Sequence, residues 1–270
     1  MMSQIERGER FRQLHEGPTF VIPNPWDAGS ARLLEHLGFE ALATSSAGHA
    51  FSLGRADGHA DRDAVLGHVA TITAATSLPV SADLEDCFGA TPDEVAATIT
   101  AVAECGAVGC SIEDRRRAGE LYDLGEAVER VAAAVAAARA LGFAFTLTAR
   151  CEYFLAGRPD LDGAIERLVA FQEAGADVLY APGLTTPEQI RAVVQSVDRP
   201  VNVVAGLSGE SLSVTQLREL GVRRISLGST LARVAYGALL RAAEEIHSAG
   251  TFGFAADAVP FARINDAMSR

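Results

Sequence analysis

The chain has 270 residues, and 49% of them are hydrophobic, which is enough apolar material for one large α/β barrel or two modest domains. This composition excludes the disordered and fibrous classes of protein. The 35 acidic and 23 basic residues give a net charge of −12, and no run of like charge offers a docking face to a phosphate backbone or an anionic membrane. We therefore expect neither a nucleic acid nor a membrane as a partner.

All 23 basic residues are arginine, so the sequence contains no lysine. That absence excludes Schiff-base aldolase chemistry, a lysine anchor for pyridoxal phosphate and the lysine of a P-loop. The four cysteines form no CxxC pair and stand in or near apolar segments, which is typical of reduced thiols. The amino-terminal segment lacks a signal-peptide core, and nowhere do roughly 18 apolar residues run together. The sequence predicts a cytoplasmic protein.

Short apolar, β-branched segments alternate with Ala- and Leu-rich helical patterns along the chain. The helices begin at capping residues such as Asp27, Thr91 and Thr186, and several end at a glycine. No linker or change of composition divides the chain, so we predict one α/β domain over residues 1–270, a (β/α)₈ TIM barrel with a C-terminal helical extension over about 235–270. The predicted strands are 19–22, 41–44, 79–83, 108–112, 143–147, 177–180, 201–204 and 224–227.

Carboxylates stand at the ends of the third and fourth predicted strands. Asp83 and Glu85 share one face of a strand because side chains alternate with a period of two, and Glu113 ends the next strand. Active sites of TIM barrels lie at these strand ends, so the three acids would meet at the barrel mouth. Oxygen ligands favour Mg²⁺, with Mn²⁺ as the other candidate. Capping of helices, or pairing with the arginines at 115–117, explains the same spacing equally well.

Two further features are suited to binding an anion. Arg150 closes the fifth predicted strand, where it can fork onto a substrate carboxylate or a developing oxyanion, or form a structural ion pair with Glu113 or Glu152. The small residues at 44–48, Thr-Ser-Ser-Ala-Gly, offer hydroxyls and consecutive backbone N–H groups that can wrap a carboxylate. An arginine buried beside an acidic cluster favours the functional interpretation.

Several ordered motifs resemble the isocitrate lyase and phosphoenolpyruvate mutase superfamily over about residues 15–235. The resemblance implies a barrel whose eighth helix is swapped between subunits, and a homotetramer built as a dimer of helix-swapped dimers. It also implies Mg²⁺ held directly by Asp83, with Asp57, Glu85 and Glu113 reached mainly through water. The motifs are Asn-Pro-Trp-Asp-Ala-Gly-Ser-Ala at 24–31, Thr-Ser-Ser-Ala-Gly at 44–48, Leu-Gly at 53–54 with Asp57, Asp-Leu-Glu-Asp at 83–86, Ile-Glu-Asp at 112–114 and Ala-Arg at 149–150.

The same resemblance implies a small carboxylate as substrate. Ser45 and the backbone of Ser46 and Ala47 would hold the substrate carboxylate, with Arg150 on its oxygens. Asn202 matches a polar position of the seventh strand used by the carboxylic-acid lyases. Members bind or form a 2-oxo acid and stabilise a pyruvate- or glyoxylate-like enolate on the metal. The predicted substrate-binding residues are Ser45, Ser46, Ala47, Arg150 and Asn202, and the predicted catalytic residues are Arg150, Glu113 and Asp57.

Departures from the family narrow the expected reaction. Isocitrate and methylisocitrate lyases carry Lys-Lys-Cys-Gly-His on the loop after the fourth strand, whereas this loop reads Arg-Arg-Arg-Ala-Gly-Glu-Leu-Tyr at 115–122. Pro182 stands where these lyases have a glutamate, and the Lys and Asn of the phosphonate-handling members are missing. Decarboxylation needs little proton machinery, whereas a retro-aldol cleavage needs a base such as Tyr122, Glu113 or Glu152.

The sequence therefore predicts a short-loop, Mg²⁺-dependent carbon–carbon lyase that resembles oxaloacetate decarboxylase and methylisocitrate lyase-like proteins. It would cleave or decarboxylate a small 2-oxo or 2-hydroxy dicarboxylate, of the oxaloacetate, methylisocitrate or substituted malate type, and release a 2-oxo acid such as pyruvate. Two alternatives stay open. Loops at 206–209 and 228–230 keep phosphonopyruvate hydrolase or phosphoenolpyruvate mutase-type chemistry possible. The other alternative is a non-catalytic barrel that binds 2-oxo acids.

Overall fold

The computed structural model describes residues 2–207 and 212–269, and every element given below lies within them. Strands and helices alternate along the chain. The strands are β1 (Phe20–Ile22), β2 (Leu42–Ala43), β3 (Val80–Asp83), β4 (Gly109–Glu113), β5 (Thr146–Arg150), β6 (Val178–Tyr180), β7 (Val201–Val204) and β8 (Arg224–Ser226). The helices are α1 (Gln4–Glu16), α2 (Ala28–His36), α3 (Ser46–Ser52), α4 (Arg62–Ala75), α5 (Pro92–Glu104), α6 (Leu124–Ala140), α7 (Leu161–Glu173), α8 (Pro187–Ser196), α9 (Val214–Glu219), α10 (Thr230–Ala249) and α11 (Phe261–Met268), with a 3₁₀ turn at Gly253–Asp257.

The strands form one parallel sheet in the order β1-β8-β7-β6-β5-β4-β3-β2. The two outer strands of this order also meet, because the Ala43 N–H donates to the Pro23 carbonyl at 3.1 Å. The sheet therefore curls into a barrel, and the predicted (β/α)₈ TIM barrel is confirmed. The assignment of residues 1–270 to a single domain stays a prediction.

Each predicted strand overlaps an observed one, but β5 begins at Thr146 rather than at 143. Residues 143–145 lie at the amino-terminal end of the barrel, which α1 covers. The Ala144 carbonyl packs so closely on Gly8 of α1 that a Cβ at position 8 would clash with it. On the same helix Phe11 and His15 are buried at this end of the barrel. The apolar character of 143–145 thus serves packing under the barrel rather than strand pairing.

The C-terminal part of the chain leaves much apolar surface exposed. Within α10, which begins at residue 230 rather than near 235, only Ala232 is buried, whereas Leu239 is 62% and Leu240 is 60% exposed. After α10 the chain returns to the barrel, where Arg32 of α2 donates to the Met268 carbonyl of α11 at 2.5 Å. Among the helices of the described residues, none has the length and hydropathy that a membrane crossing requires.

Candidate active site

The turn after β3 holds its side chains in a strained backbone. Glu85, Cys87 and Phe88 have φ values of 50°, 61° and 54°, although none is a glycine. Each such residue costs about 1–3 kcal/mol, so the surroundings must fix the turn. The buried Arg130 donates to the Asp86 carbonyl at 2.6 Å, and the Asp86 carboxylate accepts from the Phe88 N–H at 3.1 Å. Strain of this kind concentrates at functional sites, and here the turn carries Glu85, whose carboxylate pairs with Arg117.

Arg150, the last residue of β5, gathers carboxylates from three places in the chain. Its Nη1 donates to Asp83 Oδ1 at 2.9 Å, and its Nε and Nη2 donate to Glu152 Oε1 at 3.0 and 2.7 Å. Glu113 Oε2 lies 3.2 Å from Nη2. The guanidinium is 13% exposed, and none of the three carboxylates exceeds 15%. One buried cation is therefore surrounded by three acids, and the cluster carries excess negative charge.

The acids of this cluster and their neighbours are poorly solvated. Burial, only partly offset by Arg117, raises the pKa of Glu85 to about 7. Loss of water around its carboxylate and repulsion from Asp83 raise the pKa of Asp57, and burial raises the pKa of Glu113 well above its ordinary value. Each shift has burial as its largest cause, followed by nearby charges. The raised pKa values mean that these carboxyl groups bind a proton, or a cation in its place, more readily than exposed carboxylates do.

This donor set fits a hard divalent cation. All the candidate ligands are carboxylate oxygens, and Glu85 Oε1 is buried without any hydrogen-bond partner. Over residues 2–207 and 212–269, however, no three acidic, His or Cys side chains converge closely enough to bind a metal together. Direct ligation by Asp83 and contact with the other acids through water therefore stays a prediction, in which Mg²⁺ would keep several of its waters.

The small-residue loop after β2 lies directly beside Asp83. Ser45 caps α3, and its Oγ accepts from the Gly48 N–H at 3.2 Å, which leaves the hydroxyl proton free to donate. The Ser46 N–H donates to Asp83 Oδ2 at 3.0 Å, and Thr44 Oγ1 accepts from the Asp83 N–H at 2.8 Å. These bonds fix the loop and the proposed metal ligand relative to each other.

A cavity of about 150 Å³ opens at this end of the barrel. Glu113 is outside its lining but contacts it through Arg150, and Glu85 is also outside. Asp57 lies on an exposed loop close to Ser46 and Asp83. The individual roles of these residues stay predictions. The predicted site residues that line the cavity are Ser45, Ser46, Ala47, Asp83, Arg150 and Asn202.

Tyr180 and Arg224 also line the cavity, although neither is among the predicted site residues. Tyr180 and Arg224 lie in one row with Glu113, Arg150 and Asn202, because these five are register partners across β4 to β8. Register partners on neighbouring strands face the same side of a sheet, so this row points into the barrel. The signal is present in the sequence only once the strands are aligned with one another.

The short loop after β4 is tied to the acidic cluster by one arginine. Arg117 donates from Nη1 to Glu85 Oε2 at 2.8 Å, and from Nη2 to the carbonyls of Gly58 and Ala60 at 2.6 and 2.7 Å. Its guanidinium also lies 4.7 Å from the centre of the Phe88 ring. The loop therefore joins the segment that carries Asp57 to the strained turn after β3.

Tyr122, one of the residues considered as a base, does not line the cavity. Its ring lies between the guanidiniums of Arg116 and Arg130, 4.0 and 4.2 Å from the ring centre. Its hydroxyl is 3.4 Å from Asp86 Oδ2. This position is structural, because it packs the loop after β4 onto the turn after β3.

The two loops considered for phosphate binding are only partly described. Gly206 accepts from Thr230 Oγ1 at 3.0 Å, and Gly228 and Ser229 line the cavity. Residues 208 and 209 lie outside the described residues. The structure therefore leaves the phosphate interpretation of these loops as a prediction.

A model of the family described as phosphoenolpyruvate phosphomutase matches residues 11–247 of the chain. The chain belongs to the phosphoenolpyruvate mutase/isocitrate lyase superfamily. The resemblance drawn from the strand-end motifs is thereby confirmed. The matched segment contains every predicted site residue and the whole barrel from β1 to β8.

Solved and curated members of the superfamily are similar over most of the chain. A protein of Burkholderia cenocepacia J2315, described only in general terms as a lyase/mutase, is 57% identical, with a TM-score of 0.96 over 99% of this chain and 97% of that one. The 2-methylisocitrate lyase of Escherichia coli is 32% identical over 74% of this chain and 70% of its own. A 2,3-dimethylmalate lyase structure is 27% identical, with a TM-score of 0.87 over 100% and 95%. The similarity to these enzymes supports the prediction that this chain is an enzyme.

Proposed function

We propose that this superfamily member is a Mg²⁺-dependent carbon–carbon lyase that acts on a small 2-oxo or 2-hydroxy dicarboxylate and releases a 2-oxo acid such as pyruvate. The observation that carries the proposal is that Arg150, the loop at 45–47 and the Asp83 carboxylate all face one small cavity. A cation site, a fixed guanidinium and a carboxylate-binding loop in one cavity suit a reaction that builds negative charge on a small acid.

The cation would be held by Asp83 directly and by Asp57, Glu85 and Glu113 through water. Bound there, Mg²⁺ or Mn²⁺ supplies a Lewis acid that polarises a carbonyl or carboxylate oxygen of the substrate. The buried, unpartnered Glu85 Oε1 and the raised carboxyl pKa values support this use of the acids.

The protein's own groups would bind and orient the substrate. The free hydroxyl proton of Ser45 and the backbone N–H of Ala47 can donate to a carboxylate. Arg150 has five N–H donors, and only three of them make hydrogen bonds to Asp83 and Glu152. Because Nη2 also lies 3.2 Å from Glu113 Oε2, the remaining Nη1 N–H is the donor that can face an oxygen on which charge develops, and the guanidinium keeps its proton as it does so.

Proton transfer can be simple in this site. In a decarboxylation the carbon–carbon bond breaks, its electron pair stays on the substrate, and a proton is needed only after CO₂ has left. Tyr180 lines the cavity, and burial raises the pKa of its hydroxyl, so the group keeps its proton. We propose that water, or the Tyr180 hydroxyl, supplies that proton. The loop at 115–122 has no Cys or His, which favours such a reaction over one that needs a strong base.

The experiment is a proton and phosphorus NMR time course with oxaloacetate, methylisocitrate, 2,3-dimethylmalate and phosphonopyruvate, each with Mg²⁺ and with EDTA. We expect a 2-oxo acid to appear from a carboxylic substrate with Mg²⁺, above the rate without protein, and EDTA to stop it. Phosphate or phosphoenolpyruvate from phosphonopyruvate alone would contradict the proposal and favour the phosphonate branch. No turnover of any of the four would favour a barrel that only binds 2-oxo acids.

We also propose that the chain forms a homotetramer of helix-swapped dimers. The exposed apolar residues of α10 support this assembly, because only Ala232 of this 20-residue helix is buried while Val234, Leu239 and Leu240 remain exposed. Light scattering after gel filtration should give four times the monomer mass. Replacing Leu239 and Leu240 by glutamate should give smaller species, and a monomeric wild-type protein would contradict the proposal.

A further inference from the structure

Arg224, the first residue of β8, is an arginine buried in the cavity lining without an acid beside it. Its side chain is 5% exposed. Its Nε donates to Asn202 Oδ1 at 2.8 Å, and its Nη1 lies 3.5 Å from His15 Nε2. Among residues 2–207 and 212–269, no carboxylate forms an ion pair with it, whereas Arg150 in the same cavity has three. A buried charge without a counter-ion is unfavourable unless another group compensates it.

Arg224 nevertheless stays charged at neutral pH. Burial, together with the charge of Arg150, lowers its pKa only to about 10. Because the group lines an open cavity, a bound anion could reach the N–H donors that Asn202 and His15 leave free. The cavity therefore has one guanidinium balanced by the protein and one that is not.

The groups around Arg224 hold it without neutralising it. His15 Nδ1 lies 2.8 Å from the Phe11 carbonyl, which assigns the proton to Nδ1 and leaves Nε2 as an acceptor toward the guanidinium. Burial lowers the pKa of His15 to about 3, so this ring is neutral. Asn202 donates from Nδ2 to Ser226 Oγ at 3.0 Å, which turns its oxygen to Arg224. Two neutral acceptors thus fix the side chain and preserve its positive charge.

We propose that Arg224 forms a second anion site in the cavity and binds the distal carboxylate of a dicarboxylate substrate. The first carboxylate would be held by the loop at 45–47 and Arg150, on the side of the cavity formed by β2 to β5. Asn202 faces the cavity from β7, and Arg224 faces it from β8. The assignment rests on the proposed function for the substrate class, and it makes Arg224 the residue that selects dicarboxylates over monocarboxylates.

The test uses malate and 2-hydroxybutyrate, which share the 2-hydroxy acid and differ only in that a methyl group replaces the distal carboxylate. Binding of each to the whole protein with Mg²⁺ is measured by calorimetry. The wild-type protein should prefer malate by about tenfold or more, as expected for a charge-assisted pair. In Arg224→Gln the affinity for malate should fall by about that factor, with the affinity for 2-hydroxybutyrate nearly unchanged. Arg223→Gln, which removes a charge just before β8 outside the cavity lining, should keep the preference.

Two further variants keep the test decisive if Arg224→Gln does not fold. Arg224→Lys retains a charge and should retain part of the preference for malate. Asn202→Asp gives the guanidinium a fixed carboxylate at nearly constant shape and should abolish the preference. Equal weakening of both ligands, or a preference that survives Asn202→Asp and Arg224→Gln, would overturn the proposal, as would a wild-type protein that does not prefer malate. Because binding is measured without turnover, absence of catalysis in the NMR experiment leaves this result readable.

Discussion

The two sides of the cavity balance charge in opposite ways. On the side of β3 to β5, Arg150 is surrounded by Asp83, Glu113 and Glu152, so acid exceeds base. On the side of β7 and β8, Arg224 has only the neutral acceptors Asn202 and His15 among the described residues. The two arginines, Arg150 and Arg224, therefore differ in the charge of their surroundings. We propose that the side on which acids outnumber the arginine binds a cation, and that the side on which the arginine has no acid binds an anion.

Removing the acid at the centre of the first side should have the largest effect. Asp83→Ala should lower Mg²⁺-dependent turnover by about a thousandfold or more, because the proposed direct ligand of the cation is lost. The barrel should remain folded, since the side chain is at a strand end. NMR turnover and circular dichroism check both statements. Asp93→Ala, on an exposed turn of α5, is the matched control and should leave turnover unchanged. Full metal-dependent activity of Asp83→Ala would remove the basis of the metal site.

Removing the arginine from the same side should lower the free energy of unfolding as well as the activity. Arg150→Gln leaves three nearly buried carboxylates without their counter-ion, and breaking a buried pair in this way costs about 3–5 kcal/mol. Denaturation by urea measures this loss. Arg139→Gln breaks a half-exposed pair with Asp177 and should cost less than about 1 kcal/mol. Equal losses for the two variants would show that the Arg150 cluster is no more desolvated than the surface.

A pair of stacked imidazoles joins α3, which follows the loop at 44–48, to α4. His49 of α3 and His68 of α4 stack with ring centres 4.0 Å apart, and burial, then the charge of His49, lowers the pKa of His68 to about 4. The unfolded chain binds the proton near pH 6.5, so stability is complete above that pH and falls as the pH drops to about 4. The loss should be at most about 3 kcal/mol.

Unfolding free energies of His68→Phe between pH 7 and 4 check this dependence. The variant should lose less stability in acid than the wild-type protein, because a phenyl ring replaces the imidazole and cannot bind a proton. The loss that remains comes from the other buried histidines, His15 and His49, whose pKa values are also lowered by burial. His36→Phe changes an exposed histidine and should keep the wild-type slope. An acid loss in His68→Phe as large as that of the wild-type protein would assign the effect to other groups.

The smallest effect should come from the loop after β4, in which Arg117 contacts Glu85 and the segment that carries Asp57. Arg117→Gln removes the hydrogen bonds to Glu85, Gly58 and Ala60. The affinity for Mg²⁺ should therefore fall by a factor of at most about ten. Arg115→Gln is a suitable control, because Arg115 donates to Gly119 within its own loop. Calorimetric titration with Mg²⁺ distinguishes them. Identical affinities in the two variants would show that the tie does not position the acids.

Much of the side formed by β3 to β5 could be predicted from the sequence, but little of the side formed by β7 and β8. Asp83, Arg150 and the loop at 44–48 stand at strand ends, and the rule that barrel sites form there needs only local patterns. Arg224 and Tyr180 depend on the register of β6, β7 and β8, which no local pattern specifies. The triple pairing of Arg150 was likewise beyond reach, because the expected partners were Glu113 or Glu152 and the structure adds Asp83. Burial and register, rather than composition, decide the charge balance.

Crystals grown with Mn²⁺ and malate would test the two-sided cavity most directly. We predict an anomalous scattering peak at about 2.0–2.3 Å from a carboxylate oxygen of Asp83, with one malate carboxylate at Ser45 and Ala47 and the other on Arg224. A peak away from Asp83, or a malate whose two carboxylates both avoid Arg224, would contradict the account.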